Sequence, residues 1–276
     1  MSKHFSFLFI FSFPVFFSYG QTADGKLQFA QGQRFEVTMQ VKSTIAQQAM
    51  GQAIDFNIDA TGIHSYHVTN STEDNTTLKH QMDRIIISFD GMGQKKKLDT
   101  NEEKDMNSQF GKPLKDLLDR KYDMIIDNYG KTLMVVPEKF NTEETDSRMA
   151  IITSMMKDIS QLVLPPAKGK ASFFQVLPGK PAGVGDAWTE TSENTDGKFE
   201  TAYAIREIND SVIVIEFAAT SVTVTKAEMM GNETTTTMNN KSTGKIILDR
   251  STGIIREKLI NTESTGNTEA PFGTIP

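Results

Sequence analysis

Apolar and polar residues alternate with a period of two along most of the chain, which is the pattern of β-strands. One such stretch has apolar residues at Phe35, Val37, Met39 and Val41 with polar residues between them, and residues 54–58 repeat the alternation. A strand of this kind buries one face in a core and exposes the other face to water. The alternation therefore predicts a chain built mainly from antiparallel strands.

Two stretches are apolar at consecutive positions instead. Residues 85–87 and residues 212–215 are aliphatic throughout. Central strands have this composition when a second layer covers their other face. Short segments rich in Asp, Asn and Gly separate the strand patterns and are typical of hairpin turns.

Two segments have the apolar spacing of amphipathic helices. The first follows Pro113, and its apolar positions are Leu114, Leu117, Leu118 and Tyr122. The second spans residues 141–164 and is ended by two consecutive prolines. Its apolar stripe consists of Met149, Ile152, Met155, Met156, Ile159 and Val163. These helices are expected to cover the second face of the sheet.

The elements together predict a mainly β, α+β fold, with a curved antiparallel sheet or half-barrel and two helices packed on its concave or open side. The proposed division of the chain is a signal peptide at 1–20, one β-rich domain at 21–264 and a flexible tail at 265–276. Within the domain we distinguish an N-terminal half (21–140), a helix (141–164), a Pro/Gly-rich loop (165–185) and a C-terminal half (186–264).

A short internal similarity bears on how the halves are related. Residues 124–131 and residues 245–253 are both strand patterns that end in Asp and are followed by a turn with Gly. Two interpretations stay open at this point. The chain consists of two similar halves, or the two turns resemble each other only because Asp and Gly suit hairpins in general.

The N-terminus has the pattern of an export signal. Seven phenylalanines lie between Phe5 and Phe17, after a short polar head, and this apolar run is too short to span a bilayer. Small residues precede Gln21, so cleavage is expected between Gly20 and Gln21. The chain has no cysteine, which excludes a lipoprotein anchor. We expect a secreted protein of the Gram-negative envelope, located in the periplasm or outside the cell.

The composition excludes several classes of function. With no cysteine and 35 acidic against 29 basic residues, the chain is neither a thiol enzyme, a disulfide scaffold nor a polybasic nucleic-acid binder. It lacks the motif of a serine nucleophile and the glycine-rich loop of a phosphate site. We therefore predict no enzyme activity, no catalytic residue, no cofactor, no nucleic-acid partner and no transmembrane segment.

The histidines do not form a metal-binding pattern. His64 and His67 are three residues apart in a strand pattern, and such residues point to opposite faces of a sheet. They and His80 are expected to be ordinary surface residues, so no metal site is predicted.

The methionine-rich helix leaves two hypotheses open. Methionine suits surfaces that accept variable apolar partners, so the apolar stripe of residues 149–163 could line a site for a lipid or other apolar ligand between sheet and helix. In the alternative hypothesis the helix only fills a core, and the chain is a structural or protein-interaction module without a small ligand. The expected partner is an apolar small molecule in the first case and an envelope protein in the second.

Short motifs also resemble a known group of proteins. Gly32-Gln33-Arg34-Phe35, Gly185-Asp186-Ala187-Trp188, Tyr203-Ala204-Ile205 and the hairpin at 244–253 are similar to a secreted β-rich family of unknown function from outer-membrane bacteria. The resemblance implies no catalytic residue, because the family has no assigned activity. The combination of strands and helices also resembles, in architecture alone, the half-barrels of periplasmic lipoprotein carriers.

Overall fold

The computed structural model describes residues 21–49, 52–91, 93–108, 111–140, 161–194, 197–229, 232–270 and 273–275. Its strands are β1 (Thr22–Ala23), β2 (Arg34–Ala49), β3 (Gln52–Ser71), β4 (Asn75–Gly91), β5 (Gln94–Asp99), β6 (Lys121–Asp127), β7 (Thr132–Val136), β8 (Ala182–Gly183), β9 (Ala187–Asn194), β10 (Gly197–Ile208), β11 (Val212–Met229), β12 (Asn232–Asp249), β13 (Ile255–Ala270) and β14 (Gly273–Ile275). Its helices are α1 (Glu103–Met106), α2 (Gly111–Leu118) and a 3₁₀ turn at Gln161–Val163.

The strands form two six-stranded antiparallel sheets. The first sheet has the order β2-β3-β4-β6-β7, with β5 paired to the far part of β4. The second has the order β9-β10-β11-β12-β13-β14, and β1 pairs separately with β8. Within the described residues neither six-stranded sheet closes on itself. The predicted fold class, mainly β with antiparallel sheets and minor helix, is confirmed.

The two sheets repeat one arrangement of five strands. Strands β2-β3-β4-β6-β7 follow one another in the same neighbour order as β9-β10-β11-β12-β13. Each series begins after a glycine with positive φ, Gly32 (81°) and Gly185 (92°). The N–H of Gly32 donates to Val68 and that of Gly185 to Ile205, both at 2.9 Å. Val68 and Ile205 each donate back to the residue that follows the glycine.

Irregularities in the strand pairing repeat as well. A register shift follows Val68 in β3 and Ile205 in β10, and a second shift lies between β6 and β7 and between β12 and β13. Asp127 and Asp249 then each accept backbone N–H groups of the turn that follows. Because bulges and turns are defined features of a sheet and not random defects, the repeat includes local geometry as well as strand order.

The register defines which residues occupy equivalent places in the two sheets, and we call these matched positions. The matched positions used below are Phe35 and Trp188, Tyr66 and Tyr203, His80 and Phe217, Tyr122 and Gly244, Met124 and Ile246, and Val135 and Lys258. The short sequence similarity at 124–131 and 245–253 falls on matched positions, so it reflects a repeat of the structure and not only common turn chemistry.

An N-terminal segment joins the two repeated turns. The N–H of Leu27 donates to the carbonyl of Asn128 at 2.7 Å, and the N–H of the next residue, Gln28, donates to the carbonyl of Thr252 at 2.9 Å. One turn belongs to the first sheet and the other to the second. Two consecutive peptide groups therefore connect the sheets at their repeated turns.

The two α-helices of the described residues lie between β5 and β6 of the first sheet. Leu114 of α2 is buried and packs in one cluster with Ile85, Ile87 and Val163. The helix predicted after Pro113 is thus confirmed, although it ends at Leu118. Tyr122, predicted as its last apolar position, lies in β6 instead, where it begins the strand alternation that Met124 and Ile126 continue.

Some predictions fall on residues outside the described part of the chain. These are the signal peptide at 1–20 and residues 141–160 of the predicted second helix, including Met149, Ile152, Met155, Met156 and Ile159. The described end of that segment, Gln161–Val163, is a 3₁₀ turn. None of the helices in the described ranges is long and apolar enough to cross a membrane.

The C-terminal residues differ from the predicted flexible tail at 265–276. Residues 265–270 extend β13 along β12, and β14 adds a short further strand at Gly273–Ile275. The hydroxyls of Thr236 and Thr268 lie 2.9 Å apart across this pairing. Threonine favours strands even when both faces are polar, so the lack of apolar residues did not indicate an unpaired segment.

Candidate functional site

A cavity of about 440 Å³ lies between the two sheets. Its walls come from both sheets and from the segment 162–176 that connects them. The lining residues are Tyr66, Tyr122, Met124, Leu162, Leu164, Pro165, Pro166, Ala171, Ser172, Phe173, Gln175, Val176, Tyr203, Ile246, Ile255 and Lys258. The volume is within the range of small-molecule sites, and the mixture of aliphatic, aromatic and few polar side chains is typical of them.

The repeated strands place the cavity between matched positions. Tyr66 faces it from the first sheet and Tyr203 from the second, and Met124 and Ile246 form a second such pair. Each tyrosine is backed by a stacked aromatic ring of its own sheet: Phe35 lies 5.4 Å from Tyr66, and Trp188 lies 5.1 Å from Tyr203, measured between ring centroids. The inner walls are thus two similar surfaces that face each other.

The connecting segment 162–176 is fixed to the first sheet by backbone and side-chain contacts. The hydroxyl of Tyr122 donates to the carbonyl of Leu162 at 2.9 Å. The N–H of Thr132 donates to Lys170 at 2.8 Å, and the N–H of Ser172 donates to Gly130 at 2.9 Å. This part of the cavity wall is therefore held in place by hydrogen bonds from β6, β7 and the turn between them.

Phe174 anchors the same segment by packing. Its ring is 1% exposed and meets the rings of Phe29, Phe35 and Tyr66 edge-on at centroid distances of 5.1–5.5 Å. Phe173 lies beside it and faces the cavity. Two adjacent aromatic residues thus tether the Pro/Gly-rich loop to the first sheet.

The first sheet contributes a buried polar group to the cavity. Tyr66 is 1% exposed, and its hydroxyl lies beside that of Tyr122, which donates to Leu162. Burial raises the pKa of Tyr66 well above its ordinary value, and the neighbouring Tyr122 hydroxyl raises it further. The two hydroxyls thus form one buried polar group in the cavity wall.

A pair of buried histidines packs against Tyr66 and Tyr122. His64 and His80 are both fully buried, with Nδ1 of His64 3.0 Å from Nε2 of His80. His80 also stacks on Tyr122 at 4.5 Å and contacts Tyr66 at 4.9 Å. Burial, together with the nearby His64, lowers the pKa of His80 to about 3, so this ring is neutral at physiological pH.

The second sheet is different at the matched positions. Phe217 replaces His80, and Gly244 replaces Tyr122. A Cβ on Gly244 would lie 2.4 Å from Cζ of Phe217, so only glycine leaves room for this ring. The stacked rings of His80 and Tyr122 in the first sheet therefore correspond to the single ring of Phe217 in the second sheet. The side chains at these two positions have a smaller total volume in the second sheet.

Charged side chains border the cavity on the second sheet only. The ammonium of Lys258 lies 5.6 Å from the centroid of the Phe217 ring, although the residue as a whole remains exposed. Loss of water lowers the pKa of Lys258, while the charge of Glu190 acts against this. Burial and the Glu190 charge raise the pKa of Tyr203 to about 12. The cavity thus combines aliphatic and aromatic side chains with polar groups and the charge of Lys258.

Most of the sequence-predicted ligand residues lie outside the described part of the chain. Of the stripe from Met149 to Val163, the structure describes only Val163, which packs in the core with Leu114. The cavity wall beside it is formed by Leu162 and Leu164. The prediction that the histidines lie on the surface is wrong for His64 and His80, because both point to the inner face of their strands.

The cavity residues carried little signal in the sequence. Tyr203 stood in one of the short motifs, but Tyr66 and Lys258 looked like ordinary strand residues. Only the register that places them at matched or facing positions identifies them. The described residues contain no group of three or more His, Cys, Asp or Glu side chains arranged to hold a metal ion.

Comparison with known proteins gives one match. No curated protein and no solved structure matches the chain. A family model described as a family of unknown function (DUF6263) matches residues 73–255, which run from β4 to the start of β13 and include strands of both sheets. The predicted resemblance to a family of unknown function is confirmed. Because the match covers more than half of the chain, the protein belongs to the DUF6263 family.

Proposed function

We propose that the protein is an exported, non-catalytic binding protein that holds one apolar or amphiphilic ligand between its two sheets. The observation that carries the proposal is the cavity of about 440 Å³ between the matched pairs Tyr66/Tyr203 and Met124/Ile246. A simple core would be filled to the density of an organic crystal. The hydroxyls of Tyr66 and Tyr122 give this cavity a polar group for orienting a ligand.

The proposed ligand site is described by the residues of the cavity, while the predicted stripe of residues 149–163 stays a prediction apart from Val163. The ligand would lie between two sheets, under the segment 162–176, and contact the aliphatic side chains of Met124, Ile246 and Val176. Export is the part of the proposal that rests on the sequence, through the phenylalanine-rich N-terminus and its expected cleavage before Gln21.

Filling the cavity should abolish binding of an apolar probe. Val176 is half-buried and lines the cavity, so Val176→Trp is expected to place a ring in the space that the ligand would occupy. The measurement is the fluorescence of N-phenyl-1-naphthylamine titrated with the chain from residue 21. We expect saturable enhancement with the wild-type protein and at least a tenfold weaker response, corresponding to about 1.4 kcal/mol, with the variant.

The matched control is Val184→Trp, which adds the same ring at a side chain that is 57% exposed and outside the cavity lining. This control should bind the probe as the wild-type protein does. Circular dichroism and thermal unfolding of both variants report whether they fold. A wild-type protein that gives no saturable enhancement contradicts the proposal, and so does equal enhancement with Val176→Trp.

A further inference from the structure

Lys258 occupies a place that is apolar in the other half of the repeat. Its matched position is Val135, which pairs with Met124 as Lys258 pairs with Ile246. Val135 is 4% exposed and belongs to the aromatic core cluster of the first sheet. A residue such as valine would therefore suit the structure at position 258, and the lysine has no counterpart in the packing of the first sheet.

The charge of Lys258 interacts with that of Glu190 but is in no salt bridge within the described part of the chain. Among the described side chains no carboxylate lies within salt-bridge distance of its ammonium, and the nearest acidic residue that acts on it is Glu190. Its contact within the protein is the face of the Phe217 ring. The other cation of this strand, Arg256, is paired with Asp249. An anionic ligand at the cavity would give Lys258 the direct charge-assisted contact that it lacks within the described residues.

The position of Lys258 relative to the apolar walls indicates which kind of anionic ligand fits the cavity. Lys258 and Ile246 are directly opposite each other on β13 and β12, and both line the cavity. Beyond Ile246 the walls are formed by Met124, Tyr66 and Phe173. An anionic group next to Lys258 would thus be attached to an apolar chain that continues into the space between the sheets.

We propose that Lys258 is the headgroup subsite of this cavity and that the ligand is a single-chain amphiphile with an anionic head. This inference rests on the proposed function, because it assigns the ligand class of the same cavity. A single ammonium attracts a carboxylate and a phosphate alike, so the two heads share this site. The hydroxyl of Tyr203, which also lines the cavity, donates to Glu190, so the contact with the head is assigned to Lys258 alone.

Paired probes that differ only in charge test the inference. The fluorescent fatty acid cis-parinaric acid and its methyl ester have the same chain, and only the acid carries a charge. We expect the wild-type chain from residue 21 to bind the acid about tenfold more tightly than the ester, as a charge-assisted contact in a partly buried site would give. Displacement of the bound acid by dodecanoate or by dodecyl phosphate identifies the head that the site accepts, and displacement by neither contradicts the inference.

Three variants assign the preference to Lys258. Lys258→Met keeps the length of the side chain and removes its charge, so the acid should bind no better than the ester while binding of the ester is unchanged. Lys258→Arg keeps the charge and should keep the preference. Lys245→Met is the matched control, because Lys245 is an exposed lysine on the adjacent strand whose neighbours Gly244 and Ile246 face the interior.

The outcomes separate this inference from the proposed function. Equal binding of acid and ester by the wild-type protein, or a preference that persists in Lys258→Met, overturns the headgroup subsite while ester binding still supports an apolar cavity. Binding of neither probe overturns the proposed function itself, and the inference with it. Thermal unfolding of each variant shows whether a loss of preference comes from the charge or from a damaged fold.

Discussion

Replacement of Phe174 by alanine is expected to lower the free energy of unfolding by about 3–5 kcal/mol, the range for a buried aromatic side chain in a packed core. Phe174 is 1% exposed, and its ring is enclosed by Phe29, Phe35 and Tyr66. The alanine variant would leave a cavity among these rings and release the segment 162–176 from the first sheet. The measurement is equilibrium unfolding in urea, followed by circular dichroism.

A matched substitution separates packing from simple loss of an apolar side chain. Met134→Ala removes a large apolar side chain that is 48% exposed on β7, and it should change the free energy of unfolding by less than about 1 kcal/mol. If Phe174→Ala lowers the free energy of unfolding by no more than Met134→Ala does, Phe174 does not anchor the segment 162–176 to the first sheet.

Mild acid is expected to destabilise the protein through His80. The folded state keeps this ring neutral, since its pKa is lowered to about 3 by burial and by His64. In the unfolded chain a histidine takes up a proton below about pH 6.5. Stability therefore falls as the pH falls from about 6.5 towards 3, and the linkage relation gives a loss of about 2 kcal/mol between pH 7 and pH 5.

The pH range of this experiment lies above the titration of Asp99, the carboxylate that is paired with Arg84. The pKa of Asp99 is lowered to about 2, chiefly by its hydrogen bonds to Arg84, so its stabilising contribution is lost only below about pH 4. The measurement is the free energy of unfolding at pH 7, 6 and 5. His80→Gln should lose most of the pH dependence, whereas the half-exposed His67→Gln should retain it. An equal slope in His80→Gln and wild type contradicts the assignment.

The alternation of apolar and polar residues was sufficient to predict the fold class. The strands containing Phe35 and Val37 and the aliphatic stretches at 85–87 and 212–215 lie in the sheets as expected. The first helix was predicted correctly except for its C-terminal end. Tyr122, eight residues after Leu114, fits the apolar spacing of a helix and that of a strand equally well, and it lies in β6. Period alone does not distinguish the two over so short a stretch.

The repeat could be seen only partly in the sequence. Asp and Gly at the turns after Asp127 and Asp249 gave a signal because turn geometry restricts residue type. The side chains on the matched strands gave little, since His80 and Phe217, or Val135 and Lys258, have little in common chemically, and the shared tyrosine at 66 and 203 is a single residue. A sheet preserves register and bulges while the residues that face its interior change with their local packing.

The cavity could not be predicted for the same reason. Its lining combines Tyr66 from β3, Lys258 from β13 and residues of an irregular segment, which are far apart in the chain and are joined only by the pairing of strands. The sequence directed attention to the methionine stripe of residues 149–163, where composition was unusual. An unusual composition shows which side chains a segment contains, but it does not show whether a cavity lies next to that segment.

The most direct test of the central claim, that the two sheets enclose a ligand, is native mass spectrometry of the chain from residue 21 after export and purification without detergent. We predict one bound molecule per protein, released by organic solvent, and its absence from Val176→Trp but not from Val184→Trp. A wild-type protein whose mass is that of the polypeptide alone, and which acquires no adduct when mixed with dodecanoate or N-phenyl-1-naphthylamine, would contradict the account.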